Sequence, residues 1–289
     1  MKKAETKRPA SHDVAISVTP KMKEADFKKF SNLIKSEFGI KMPLTKKTML
    51  EARLQKRLRA LGFGTHSEYC DFLFSPGGLE KELTQLIDVV TTNTTDFFRE
   101  PKHFELLLST VLPELAERRA PVKVWSAGCS SGEEPYTLGI VLSEFADQNR
   151  DFKFSILATD ISNDILNKAV NAVYPMSKVE VIPMAMKKKY LLKSKSKDKP
   201  LVRIAPELRR KIEFRRLNFM EKFPFDDVKD IIFCRNVVIY FDRPTQFSLF
   251  TKFCERLSKG GFLFIGHSES ISGMDLPLRQ IAPTVYQKI

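Results

Sequence analysis

The stretch VWSAGCSSGEEPYTLGIVL, Val124 to Leu142, decides the fold. An apolar run of strand character enters Gly128-Cys129-Ser130-Ser131-Gly132, and two acids and a proline then open a pattern of helical period. The two glycines allow a tight bend and a close approach of backbone to ligand. The next apolar run, FKFSILATD, ends at Asp160, where an acid can accept hydrogen bonds from both hydroxyls of a ribose. The turn does not spell G-x-G-x-x-G, and Glu133 and Glu134 at the helix start oppose a pyrophosphate. A nucleoside with a cationic tail suits the turn better, and S-adenosylmethionine carries an ammonium and a sulfonium. The plain alternative is a tight connection capped by Glu133, with no ligand.

Around this turn strands and helices alternate. VKVWSA, FKFSILATD, IEFRRLNF, DIIFCRNVVIY and GGFLFIGHSE read as strands; EPYTLGIVLSEFA, NDILNKAVNAVY and PTQFSLFTKFCERL read as helices. This predicts an α/β domain over residues 111–289 with a mostly parallel sheet. LRQIAPTVYQKI, interrupted at Ala282-Pro283-Thr284, predicts an antiparallel C-terminal edge hairpin. The charged stretch from Lys187 to Lys211 contains YLL and LVRIA and predicts a small inserted β excursion.

Residues 23–90 carry four helical patterns and form a separate N-terminal domain. In the first, Phe27, Phe30, Leu33, Ile34 and Phe38 share a face ahead of Gly39. The second has Thr45 as its expected N-cap, Met49, Leu50, Leu54, Leu58 and Leu61 as its apolar set, and Gly62 as its stop. SEYCDFLFS and LEKELTQLIDVV supply the third and fourth. Residues 1–22 read as a disordered basic arm, and 91–110 as a linker that enters the site.

With 289 residues and 43% apolar content the chain can fill a real core. No apolar run reaches the roughly 18 to 20 residues of a membrane span, and the N-terminus lacks a signal sequence, so the expected compartment is the cytoplasm with no membrane insertion. Cys70, Cys129, Cys234 and Cys254 are scattered, with no C-x-x-C and no histidine at zinc-ligand spacing, and no metal is expected. His12, His66, His103 and His267 pair with no nucleophile, and His267 and Glu269 are expected to shape a strand end. The formal charge of +13 admits nucleic acid, an anionic membrane surface or an acidic protein as partner.

TTNTTDFFREPKHF, VWSAGCSSGEEPY, LATDIS, LNF and FCRNVVIYFD, in this order, resemble the CheR family of chemoreceptor glutamate O-methyltransferases, from about residue 25 to 289. The resemblance implies a class I S-adenosylmethionine-dependent, Rossmann-like fold with an inserted three-stranded antiparallel subdomain. It implies methyl transfer to receptor glutamates in bacterial chemotaxis, with S-adenosylhomocysteine as product. Carried onto this chain, it implies cofactor contacts from Asn93, Thr95, Arg99, Glu134, Asp160, Asn218, Phe219, Arg235 and Asn236, with Arg99 and Tyr240 lining the methyl-transfer site. Relatives more often have leucine after the asparagine of LNF; Phe219 is a hydrophobic wall either way. In some members the inserted subdomain docks a peptide from the receptor's C-terminus, and the glycine-free KSKSKDKPLVRIA departs from the loop of those members.

The residues support these roles in their own terms. Arg99 can hold a carboxylate bidentately, and the amide of Asn218, directly after IEFRRL, can pair with an adenine edge. The phenylalanines before Arg99 are expected to be buried. A glutamate is ionised near pH 7, so its methylation needs positioning and dehydration rather than a base. For the face of the second helix that carries Lys46, Arg53, Lys56, Arg57 and Arg59 the resemblance implies an acidic partner, the glutamate-bearing helices of chemoreceptors. A monomer is the default state. A nucleic-acid methyltransferase would account for the charge, yet CRNVVIY stands where amine-methylating members carry D/N-P-P-Y/F/W. A non-catalytic cofactor- or receptor-binding module would be signalled by a lost site residue, and none is lost.

Overall fold

The computed structural model describes residues 21–196, 198 and 200–289. The expected basic arm therefore lies outside the described residues except for its last two, and of these Met22 is buried, its N–H donating to Glu51 Oε1 at 2.8 Å.

Four helices build the N-terminal unit: α1 (Glu24–Phe38), α2 (Lys47–Leu61), α3 (His66–Leu73) and α4 (Gly78–Val90). The apolar stripe expected of α1 is buried, and Gly39 and Gly62 stop α1 and α2 as expected. In α2 only Leu50, Leu54 and Leu58 are fully inside. Thr45 does not cap α2: it lies within a 3-10 turn, Leu44–Lys46, that feeds the helix. Thr65 caps α3 in a reciprocal box with Glu68.

Among the described residues ten strands follow: β1 (Val122–Ala127), β2 (Phe154–Asp160), β3 (Val173–Pro175), β4 (Leu191–Lys193), β5 (Leu201–Ile204), β6 (Ile212–Arg216), β7 (Lys229–Cys234), β8 (Leu257–Ile265), β9 (Leu278–Ala282) and β10 (Val285–Lys288). The main sheet has the order β6-β2-β1-β7-β8-β10-β9. Its first five members are parallel, and β10 and β9 form the expected antiparallel edge. The chain leaves β1 toward β2 on one side and returns to β7 on the other, which makes the carboxyl ends of β1, β2 and β7 the place for a ligand. Aromatic packing fixes one face, where Trp125 meets Phe223, Phe225 and Phe253 edge-on at 5.1 to 5.2 Å and donates Nε1–H to Thr159 Oγ1 at 2.9 Å.

Three expected boundaries move. The chain is helical from Pro101, through α5 (Pro101–Leu106), a π-turn (Leu107–Val111) and α6 (Leu112–Ala116), so the linking segment ends at residue 100. The antiparallel insert begins at Val173, in the order β3-β5-β4, and closes at Ile204, whose N–H returns to Ala172 O at 3.0 Å. DIIFCRNVVIY is a strand only to Cys234; Val238–Tyr240 is a 3-10 turn. The remaining helices are α7 (Glu133–Gln148), α8 (Asn163–Asn171), α9 (Met184–Tyr190), α10 (Pro206–Arg209) and α11 (Arg243–Arg256). Among the described residues no helix is long and apolar enough to cross a membrane.

Candidate active site

A cavity with an empty volume of about 1080 Å³, its open side included, lies where the β1, β2, β6 and β7 ends meet the helical unit. All ten residues expected at the cofactor and methyl-transfer site line it: Asn93, Thr95, Arg99, Glu134, Asp160, Asn218, Phe219, Arg235, Asn236 and Tyr240.

Its base is the turn after β1. Gly128 and Gly132 take φ of +85° and +97°, and Ser130 between them also has positive φ, at +50°. A side chain at Gly128 would put its Cβ 2.4 Å from Val237 Cγ2, so glycine lets the loops after β1 and β7 touch. The N–H of Ser130 donates to Asp160 Oδ2 at 2.8 Å and that of Ser162 to Oδ1 at 3.1 Å. Burial pushes the Asp160 carboxyl up, and these N–H groups oppose the rise. Among the described residues no cation pairs with it. Each oxygen keeps acceptor capacity, which is what ribose hydroxyls require.

Glu134 and Glu133 separate. Glu134 lines the cavity, with Oε1 accepting from Ser126 Oγ at 2.7 Å and Oε2 from Arg235 Nε at 2.7 Å. Glu133 turns away to accept from Ser131 Oγ at 2.6 Å, and burial raises its carboxyl.

Arg235 is buried beside the stacked rings of Phe104 and Phe233, 5.4 and 5.5 Å from their centroids. Besides Glu134 it donates from Nη1 to Arg99 O at 2.6 Å, so it fastens the linking segment to the turn. That segment carries two non-glycine residues of positive φ, Phe98 at +53° and Glu100 at +55°. Ser130 Oγ donates to Asn93 O at 3.1 Å and Lys178 Nζ to Thr95 O at 2.9 Å. Phe97 is buried edge-on against Tyr174, whereas Phe98 is only half-buried.

Asn218 requires a correction. Its Nδ2 donates to Glu37 O at 2.8 Å and to Glu221 Oε1 at 3.3 Å, and its Oδ1 accepts from Met220 N at 3.0 Å. The amide thus closes a local turn and holds the end of α1 rather than offering itself to a base edge. Lys41 N–H donates to Tyr240 O at 2.8 Å nearby, so the helical unit also steadies Tyr240.

The cationic face of α2 is likewise divided. Arg57 is bidentate to the buried Glu82, at 2.6 and 2.9 Å, and Arg53 donates to Val90 O, Thr91 O and Thr92 Oγ1 at the end of α4. Both are spent inside the unit. Lys56 and Arg59 stay exposed, and Lys46 reaches the cavity with Nζ 5.4 Å from the Tyr240 ring centroid.

Sequence reasoning missed the apolar wall given by Phe38, Ile40, Met42 and Met49 of the helical unit. FGIKM keeps its apolar residues beyond the Gly39 stop, and that was the available signal. His103, expected to pair with no nucleophile, has a structural place. It is buried, with Nε2 on Thr284 Oγ1 at 2.8 Å, and burial foremost, then Arg235 and His267, lowers its pKa to about 3. Glu100, His103 and His267 could together approach a metal ion, but Arg235 Nη1 stands 3.4 Å from His103 Nδ1 and 3.5 Å from Glu100 Oε2, where its charge would oppose one.

A turn of left-handed residues after β1, an acid closing β2 and a cavity at the switch point define a nucleoside-cofactor site of the S-adenosylmethionine-dependent methyltransferase kind. Residues 93–286 match the CheR methyltransferase, SAM binding domain, and residues 25–91 the CheR methyltransferase, all-alpha domain. The chain belongs to the CheR methyltransferase family. It is 44% identical over 268 residues to a chemotaxis protein methyltransferase of Borreliella burgdorferi, covering 89% of this chain and 93% of that protein. It is 37% identical to chemotaxis protein methyltransferase 2 of Pseudomonas aeruginosa, over 90% and 92% of the two chains. Against the Escherichia coli chemotaxis protein methyltransferase the identity is 33%, over 92% and 91%. The protein is a S-adenosylmethionine-dependent chemotaxis methyltransferase.

Proposed function

We propose that the protein transfers a methyl group to glutamate side chains of chemoreceptors, giving the methyl esters of chemotactic adaptation. The observation that carries this is the cavity's charge arrangement. Asp160, with no cation paired to it among the described residues, and Glu134, paired with Arg235, are buried in the lining, while Arg99 and Lys46, both half-buried, line the same cavity as Tyr240. The acidic wall suits a cationic cofactor tail, and the half-open cations suit an incoming carboxylate.

Bound S-adenosylmethionine would supply a methyl group activated by its sulfonium. Asp160 takes the ribose hydroxyls; Glu134, fixed by Ser126 and Arg235, faces the ammonium. Asn93 and Thr95 of the linking segment, Phe219 and Asn236 line the same cavity and would hold the cofactor, with Asn218 fixing the loop that carries Phe219. Arg99 and Tyr240 would orient the substrate carboxylate, already ionised near pH 7, toward the activated methyl group. Transfer neutralises an anion and a cation together, so the apolar wall favours it by excluding water. Lys56, Arg59 and Lys46 receive the acidic receptor helix, and the chain acts as a monomer.

The test is incubation with radiolabelled S-adenosylmethionine and receptor signalling domains, then release of label as methanol by mild alkali. Alkali-labile label supports a carboxyl methyl ester; alkali-resistant label refutes it. Tyr240→Phe is expected to lower turnover more than cofactor affinity, and unchanged turnover would remove Tyr240 from the reaction.

A further inference from the structure

The cavity wall formed by Asn236 and Tyr240 is held from behind by a carboxylate that does not line it. After β7 the chain turns left-handed at Asn236, φ +59°, and enters the 3-10 turn Val238–Tyr240. After β8 it folds back at Gly266, whose O accepts from Glu269 N at 2.9 Å. Glu269 is buried at 6% exposure. Its Oε1 accepts from the N–H groups of both Val237 and Val238 at 2.8 Å, and its Oε2 from Gly266 N at 2.6 Å. The two loops are pressed together here: a Cβ on Gly266 would lie 2.8 Å from both the backbone N and Nδ2 of Asn236.

Among the described residues no cation pairs with Glu269. A buried carboxylate without a cation is costly, and backbone donors offset that cost only if they reach both oxygens. Here they come from opposite sides, one loop on each oxygen. Glutamine would keep one acceptor and turn an N–H group toward the donor on the other side, so the position requires an acid.

We infer that Glu269 is a positioning residue for methyl transfer, fixing Asn236 at the cofactor wall and Tyr240 at the substrate side by clamping the segment between them. The inference rests on the proposed orienting role of Tyr240. Asp160 and Glu134 have supports outside this clamp, so loosening it costs cofactor binding little, whereas Tyr240, held besides only through its carbonyl by Lys41 N–H and by the Lys46 ammonium over its ring, loses the fixed start of its turn at Val237 and Val238.

Glu269→Gln is therefore expected to lower kcat at least tenfold per cofactor-binding site, the sites being counted by titration with S-adenosylhomocysteine, while changing cofactor Kd less than threefold. A shared action requires that Glu269→Gln combined with Tyr240→Phe lose less than the product of the single losses. If Glu269→Gln binds no cofactor, Glu269→Asp replaces it, keeping two acceptor oxygens on a shorter arm, with the same split expected. An unchanged kcat per site, or fully multiplicative losses, overturns the inference. Ester formation by the wild type in the same assay separates the two ideas: no ester from the wild type refutes the glutamate reading and this inference with it, whereas ester from the wild type beside an unchanged variant refutes this inference alone.

Discussion

Asn218→Ala tests whether that amide binds the cofactor or the helical unit. The substitution deletes three hydrogen bonds: to Glu37 O, to Glu221 Oε1, and from Met220 N. Glu221 is exposed, so its bond counts for little, while the other two leave a helix-end carbonyl and a turn N–H without their partner. At roughly 1 to 1.5 kcal/mol for each of these two, the variant should lose about 2 to 3 kcal/mol of stability. Trp125, the one tryptophan of the sequence and fully buried, reports unfolding in urea by its fluorescence. Cofactor affinity measured by calorimetry on the folded variant should shift less than about threefold, since an amide already committed has little to give. An amide that read adenine would instead cost roughly 1 to 3 kcal/mol of binding, a loss of about fivefold to over a hundredfold. A stable variant with affinity down tenfold or more would refute the assignment of Asn218 to the domain junction.

Two further outcomes follow from side chains whose roles the structure redefines. The pKa of His103 is about 3 in the fold, against about 6.5 when unfolded, so the unfolded chain takes up a proton that the folded one refuses. Stability should fall as pH drops from about 6.5 toward 3, by ~3 kcal/mol at pH 4 from this group alone. His103→Gln should flatten that part of the pH dependence of the urea midpoint, and an unaltered slope would contradict the burial argument. Arg57→Ala should destabilise the protein by about 3 kcal/mol because it strands the buried Glu82, whereas Lys56→Glu should leave the urea midpoint unmoved and slow receptor methylation at low salt, an effect that fades as salt is added. Equal behaviour of the two variants in both assays would refute the division of the α2 face.

The parts of the site that could be read in the sequence are those fixed by local chemistry. Gly128 and Gly132 had to turn left-handed for a strand to enter a helix so abruptly, and Asp160 had to end β2, so both were visible without tertiary knowledge. What escaped depended on partners far away in the chain. The amide of Asn218 is claimed by a carbonyl 181 residues earlier. Arg57 looked free on a charged helix until α4 brought Glu82 to it, although a glutamate set one turn before Leu86 on an otherwise apolar stripe was a hint that a cation would arrive. NDILNKAVNAVY kept a helical period through Tyr174, but Ala172 turns left-handed, and Val173–Pro175 finds strand partners some 30 residues on. VVIY had the composition of a strand, yet Glu269 draws two of its N–H groups out of any ladder.

The insert between α8 and β6 bears on how such a chain can diversify. It leaves at the end of α8 and comes back beside it, with Ala172 and Ile204 hydrogen-bonded, which is the topology of a replaceable cassette. Its root is not replaceable on the same terms. Tyr174 donates its hydroxyl to Ser131 O at 2.7 Å, and that hydroxyl lies 2.9 Å from where a Cβ on Gly132 would be. The strand bearing Tyr174 is a mould pressed against the cofactor turn. Exchange of whole inserts between relatives should succeed only when the graft carries its own tyrosine at that root.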